Sequence, residues 1–222
     1  MKFFKLKKLI TASLLTMGLM TVGTGVSFAQ SLDLTIQGDH GNLAAVLQTP
    51  DGAKDYPLVI VCHGFTSSKD TELMQTLAND LEKEGIATLR FDFNGHGKSE
   101  GRFQDMTVLN EIEDAKKVYD YASKLPHVTS ISLAGHSQGG VVASMTAQTL
   151  PIYETAVRYQ GPAFMIHGTG DVVVPYTYSQ RYHRICFNGH LKLVPGEDHG
   201  FTHDIKGACQ TVADYFTAQL KK

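Results

Sequence analysis

An α/β fold, with a mostly parallel sheet covered by helices on both faces, is what this sequence predicts, and three observations predict it. Pro57-Leu-Val-Ile-Val-Cys-His63 and Ile86–Phe93 are near-continuous apolar runs, as expected of strands buried on both faces. Each is followed by a segment with apolar residues at helical spacing, and the alternation of strand and helix continues to the C-terminus. Ile131-Ser-Leu-Ala-Gly-His-Ser-Gln-Gly-Gly140 reads as a strand, a tight Gly-rich turn and the start of a helix of small and apolar residues.

The elements follow in order. Leu32–Gln37 and Leu43–Gln48 alternate apolar and polar residues around Asp39-His-Gly-Asn42, which is turn chemistry, so the fold opens on an N-terminal β-hairpin. After the Pro57–His63 strand, Asp70–Glu84 carries Leu73, Leu77 and Leu81 on one helical face and stops at Gly85. The Ile86–Phe93 strand leads into a Gly-rich loop, Asn94–Gly101, and then a helical pattern over Met106–Leu125. Val128–Ala134 is a strand and Gln138–Thr149 the helix after it. A short helix is expected within Leu150–Pro162, followed by a strand over Ala163–His167, a helix over Pro175–Cys186, a strand over His190–Val194 and a closing helix over Ile205–Leu220. This is one domain from residue 30 to residue 222, with no internal repeat or linker.

Residues 1–29 read as a targeting segment. Lys2, Lys5, Lys7 and Lys8 form a basic start, Leu9–Val22 an apolar stretch, and Ser27-Phe-Ala29 a small-x-small cleavage site. Cleavage after Ala29 and a secreted or periplasmic location are the expectation, with no stable membrane insertion afterwards. An uncleaved anchor is the alternative, disfavoured because Gly18, Gly23 and Gly25 interrupt the apolar run. Loss of the leader removes four lysines and no acid, leaving 16 basic against 22 acidic residues and a net charge near −6. No basic stripe is visible, so nucleic acid is not an expected partner. Cys62 lies in an apolar strand as an inert thiol, while Cys186 and Cys209 are left open as a pair. No Cys/His spacing suggests a metal site.

The chemistry centres on Gly135-His-Ser-Gln-Gly139, a Gly-x-Ser-x-Gly between strand and helix. Such a turn presents the serine in a strained backbone conformation and aims a helix N-terminus at it. A serine hydroxyl is a poor nucleophile and needs a base, a carboxylate to orient that base, and donors for the oxyanion. Ser137 is the nucleophile, His199 after the last strand the base, and Asp171 in the loop after the preceding strand the acid. The chain order Ser, Asp, His and the placement at carboxyl ends of strands support this choice. Asp198, Asp204 and Glu197 compete for the acid and His203 for the base. The expected oxyanion donors are the backbone N–H groups of Gln138 and Phe65. His63, Gly64, His136 and Val173, which flank these positions, are the candidate substrate-binding residues.

Taken together, these residues resemble the α/β-hydrolase superfamily, and more closely bacterial feruloyl (cinnamoyl) esterases and related carboxylesterases. The pieces that carry the resemblance are His63-Gly-Phe65 with Thr66-Ser-Ser-Lys69, Arg90-Phe-Asp-Phe-Asn-Gly-His-Gly-Lys-Ser-Glu-Gly101, Gly135-His-Ser-Gln-Gly-Gly140, Leu150-Pro-Ile-Tyr-Glu154, His167-Gly-Thr-Gly-Asp-Val-Val-Val-Pro175 and Gly196-Glu-Asp-His-Gly-Phe201. The resemblance implies hydrolysis of small-molecule esters of hydroxycinnamic acids, such as those on plant cell-wall polysaccharide, with no cofactor. One departure stands out. In that family the elbow helix is followed by a further core strand and a lid insertion, whereas here Thr149 runs straight into Leu150-Pro-Ile-Tyr-Glu154. A reduced or absent lid, an open site and a gap beside the elbow strand are therefore expected, with a risk that Asp171 shifts relative to His199. Two other readings stay open: a serine peptidase of the same fold, and a catalytically impaired hydrolase-fold protein that only binds. Oligomeric state is not legible.

Overall fold

The structure is a computed structural model that describes residues 30–149 and 161–221. The leader and the Leu150-Pro-Ile-Tyr-Glu154 segment, with most of the short helix expected there, lie outside the described residues. Five strands form one sheet: β1 (Gln30–Gln37), β2 (Asn42–Thr49), β3 (Tyr56–Cys62), β4 (Ala87–Phe91) and β5 (Val128–Gly135), in the order β1-β2-β4-β3-β5. The hairpin β1/β2 and the β2/β4 pair are antiparallel, and β4, β3 and β5 run parallel. Two later strands, β6 (Ala163–Gly168) and β7 (Gly189–Val194), form a separate parallel pair.

The period of two along β3 builds both layers. Leu58, Ile60 and Cys62 point to one face, where α2 (Val108–Ala122) packs Ile112, Ala115, Val118 and Ala122 against them, together with Phe91 and Phe93. Val59 and Val61 point to the other face, under Met74, Leu77 and Leu81 of α1 (Glu72–Lys83) and Cys209 and Ala213 of α5 (Ile205–Leu220). Helix starts are set by local chemistry. Thr107 Oγ1 accepts the Asn110 N–H at 3.1 Å, which starts α2 two residues later than the apolar pattern alone suggests. Asp204 caps α5 by accepting the Gly207 N–H at 2.9 Å. This removes Asp204 from the competition for the acid.

The expected single sheet is broken between β5 and β6. All of β3 except Pro57 is buried, but no residue of β5 is. Among the described residues β5 has no partner on its outer edge, the gap that the short connection after Thr149 implied, and β6 has not moved across to fill it. Helices instead tie the two sheets together. Helix α5 sits on α1 and also carries Tyr215, whose ring stacks on Phe164 of β6 with centroids 4.7 Å apart. The α3 helix (Gln138–Thr149) touches α4 (Thr177–Ile185) through Ser144 and Tyr182. All three cysteines are free thiols, so Cys186 and Cys209 are not paired.

Candidate active site

The serine comes first. Strand β5 must turn straight into α3, and the turn residue Ser137 takes φ = +52°, a left-handed conformation costly for a residue with a Cβ. The crossing is too tight for side chains on either flank. A Cβ on Gly135 would lie 2.2 Å from the Gly139 carbonyl oxygen, and one on Gly139 would lie 2.3 Å from the oxygens of Cys62 and His63. The backbone strain thus points the hydroxyl out at the N-terminus of a twelve-residue helix.

His199 and Asp171 arrive together from the other sheet. The loops after β6 and β7 are stitched by Thr169 N–H to Val194 O at 2.9 Å, Gly170 N–H to Glu197 O at 2.8 Å and Gly196 N–H to Thr169 Oγ1 at 2.8 Å. The acid and the base therefore move as one unit. Asp171 Oδ2 accepts from His199 Nδ1 at 2.8 Å, and His199 Nε2 accepts from Ser137 Oγ at 2.8 Å. The shift of Asp171 relative to His199 that the short connection after Thr149 threatened is not seen, because the two loops that carry them are stitched to each other.

The carboxylate is well supported. Its second oxygen, Oδ1, accepts the N–H groups of Val173 and Val174, both at 2.8 Å. Burial pushes the Asp171 pKa up, but the Val174 N–H, His199 and the Val173 N–H together outweigh it and hold the group below the usual carboxylate value. Asp171 is thereby kept ionised, as an orienting partner for an imidazole requires. His167 Nε2 also reaches Asp171 Oδ2, at 3.0 Å.

The flanking residues divide. Gly64 lies against the nucleophile, since a Cβ there would be 3.1 Å from the Ser137 Cβ. Phe65 projects into solvent and meets the exposed Phe103 ring, centroids 5.6 Å apart. Among the described residues, the amides of Phe65 and Gln138 donate to no internal acceptor. The Gln138 side chain turns away and donates to Glu111 Oε2 at 2.7 Å. Val173 contributes its backbone to Asp171, while its side chain is exposed.

Two expectations need correcting. His63 is no substrate contact: its side chain is buried, its Nε2 accepts the Phe93 N–H at 3.2 Å and its Nδ1 donates to Gly64 O at 2.8 Å. His136 is spent on the base's own loop, its Nε2 donating to His199 O at 2.8 Å. Burial lowers its pKa, partly offset by that bond. Both hold the backbone around Ser137 instead of lining a pocket. The competing groups are occupied elsewhere. Asp198 accepts the N–H groups of Gly200 and Thr202, and His203 Nδ1 faces Glu197 Oε2 at 3.3 Å.

His63 carries a testable consequence. Burial, the largest cause, lowers its pKa to about 4. The unfolded chain takes up this proton near pH 6.5 and the folded chain only near pH 4, so the stabilisation is present above the unfolded value and lost as pH falls between the two. The loss amounts to roughly 3 kcal/mol when the shift is fully expressed. Denaturant midpoints at pH 7 and pH 4.5 should show it. His63→Gln, whose amide oxygen can accept the Phe93 N–H without titrating, should lose that part of the acid sensitivity.

Two groups at the site escaped the sequence reading. Glu111 is buried behind Gln138, and burial raises its pKa despite the Gln138 hydrogen bond. The signal was a charge on the apolar face of α2, between Val108 and Ala115 at helical spacing. His167 was read only as the last residue of a strand.

Comparisons place this arrangement among known proteins. Residues 54–157 match the family model described as serine aminopeptidase, S33. The ferulic-acid-bound esterase Est1E of Butyrivibrio proteoclasticus superposes with a TM-score of 0.79 at 26% identity, over 85% of this chain and 100% of that one. A serine hydrolase without lid from Xanthomonas campestris shares the fold, with a TM-score of 0.74 at 21% identity over 87% of this chain and 96% of that one. An uncharacterized 31.7 kDa protein of the traX-finO intergenic region of Escherichia coli is 33% identical over 100 residues, which is 44% of this chain. The present chain spans 35% of that relative's length.

Proposed function

We propose that this chain, which has the α/β-hydrolase fold, hydrolyses small carboxylic esters through a covalent acyl-enzyme on Ser137. The observation that carries the reading is the unbroken chain from Ser137 Oγ through His199 to Asp171, with 2.8 Å at each step, on a serine at φ = +52°. In the forward step Ser137 Oγ attacks the ester carbonyl carbon while its proton passes to His199 Nε2. Asp171 stabilises the imidazolium from the other side. The tetrahedral oxyanion forms next to the amides of Phe65 and Gln138 and the N-terminus of α3. His199 then returns the proton to the leaving alcohol, and water repeats the sequence to release the acid.

The exposed Phe65–Phe103 pair supports an aromatic acyl group. It offers apolar, stackable surface starting at the residue after Gly64, which lies against Ser137. The complex of Est1E with ferulic acid supports the same class. Methyl ferulate and p-nitrophenyl acetate distinguish the parts. Turnover of both supports the full reading, turnover of the acetate alone leaves an esterase without aromatic preference, and turnover of neither rejects esterase activity. Phe103→Ala is expected to raise KM for methyl ferulate about tenfold with little change for the acetate, as removal of one stacking contact implies.

A serine peptidase is the second reading, favoured by the description of the matching family model. Cleavage of aminoacyl p-nitroanilides faster than the matched esters would establish it. Export rests on the leader alone, and a mature N-terminus at Gln30 in protein recovered outside the cytoplasm would support it.

A further inference from the structure

We infer that His167 is a positioning residue for the acid of the site, the inner end of a hydrogen-bonded chain that runs Ser179–His167–Asp171–His199–Ser137. The inference rests on the serine-hydrolase reading of Ser137, His199 and Asp171.

The geometry is specific about His167. Its Nε2 lies 3.0 Å from Asp171 Oδ2 and 2.9 Å from Val174 O. Both partners only accept, so Nε2 carries the hydrogen and shares it between them. Its Nδ1 lies 2.6 Å from Ser179 Oγ, on α4. In the neutral ring Nδ1 is the acceptor and the Ser179 hydroxyl the donor, which selects the tautomer that Asp171 needs. The side chain is 12% exposed.

This ring completes the environment of the carboxylate. Oδ1 is held by the amides of Val173 and Val174, and Oδ2 by two imidazoles, His199 and His167. Four donors leave the carboxylate no rotational freedom about its last bond, so Oδ2 stays in line with His199 Nδ1. Val174 O, held by the same His167 N–H, fixes the turn that supplies the two amides. His167 thus clamps both the carboxylate and its cradle, and α4 clamps His167 through Ser179.

The test uses the full chain with His167→Ala and His167→Gln. The glutamine amide still offers an N–H to Asp171 but cannot titrate. Two readouts are needed: kcat and KM for p-nitrophenyl acetate, and the His199 Nδ1–H resonance in the hydrogen bond to Asp171, read by nitrogen-proton NMR, which requires no turnover. His167→Ala is expected to lower kcat about tenfold with KM nearly unchanged, because the acid loses its fixed position. The Nδ1–H resonance should shift and broaden, because Oδ2 no longer stays in line with it. His167→Gln should recover most of both. The proposal is overturned if His167→Ala leaves kcat and that resonance unchanged, or if the glutamine variant falls as far as the alanine one at an unaltered melting temperature. Where His167→Ala does not fold, Ser179→Ala decides instead. It should lower kcat about threefold and release the His167 tautomer, and no change in either overturns the chain. Failure of the underlying reading looks different: the wild-type chain would then hydrolyse no ester, while the His199 Nδ1–H resonance would still report on His167.

Discussion

Replacing Ser137 by alanine is expected to lower kcat for an activated ester by about 10⁵-fold or more, leaving only what the oxyanion donors and binding supply. His199 Nε2 faces Ser137 Oγ at 2.8 Å, and among the described residues it meets no second hydroxyl that could take its place. Stability should hold or rise slightly in Ser137→Ala. The φ of +52° disfavours both residues, and the smaller side chain removes no packing contact of the core. A variant that melts at the wild-type temperature and has lost turnover separates catalysis from folding.

The second large effect is expected at Asp171. Asp171→Asn keeps the size and one acceptor oxygen but can present an N–H to His199 Nδ1. That favours the imidazole tautomer with its hydrogen on Nε2, which cannot take the serine proton. A fall in kcat of about 10⁴-fold follows, with KM little changed. The fall should shrink at high pH, where hydroxide deprotonates the serine without help from the base. Steady-state kinetics from pH 6 to pH 10 check both statements. A variant within tenfold of wild type at pH 7 would show that His199 is oriented by another group.

Much of this site was legible in the chain because its parts are local. The Gly-x-Ser-x-Gly turn needs only five residues, and Gly135 and Gly139 are required by contacts of 2.2 and 2.3 Å that any strand-to-helix crossing of this kind imposes. Asp171 and His199 were legible through topology, since both follow strands at the same end of a parallel pair. His63 and His136 were misjudged because sequence position puts a residue near a site without saying where its ring points. Burial and backbone partners decided that: Phe93 N–H for one, His199 O for the other. Glu111 was missed because it acts across 27 residues, on Gln138, and His167, only four residues from Asp171, because a strand-end position does not say which way its ring turns. The gap beside β5 was legible in the short connection after Thr149. What compensates for it was not, because that lies in α5, whose contacts with α1 and Phe164 no local pattern encodes.

The central claim is that Ser137 is a nucleophile activated by His199, and covalent labelling tests it most directly. The full chain is treated with a fluorophosphonate at pH 7.5 and the adduct located by peptide mass spectrometry, beside Ser137→Ala and His199→Ala. A single adduct on Ser137, lost in the first variant and slowed at least about a hundredfold in the second, is the result this structure predicts. A cooperatively folded wild-type chain that takes up no label, or takes it up equally fast without His199, would contradict it.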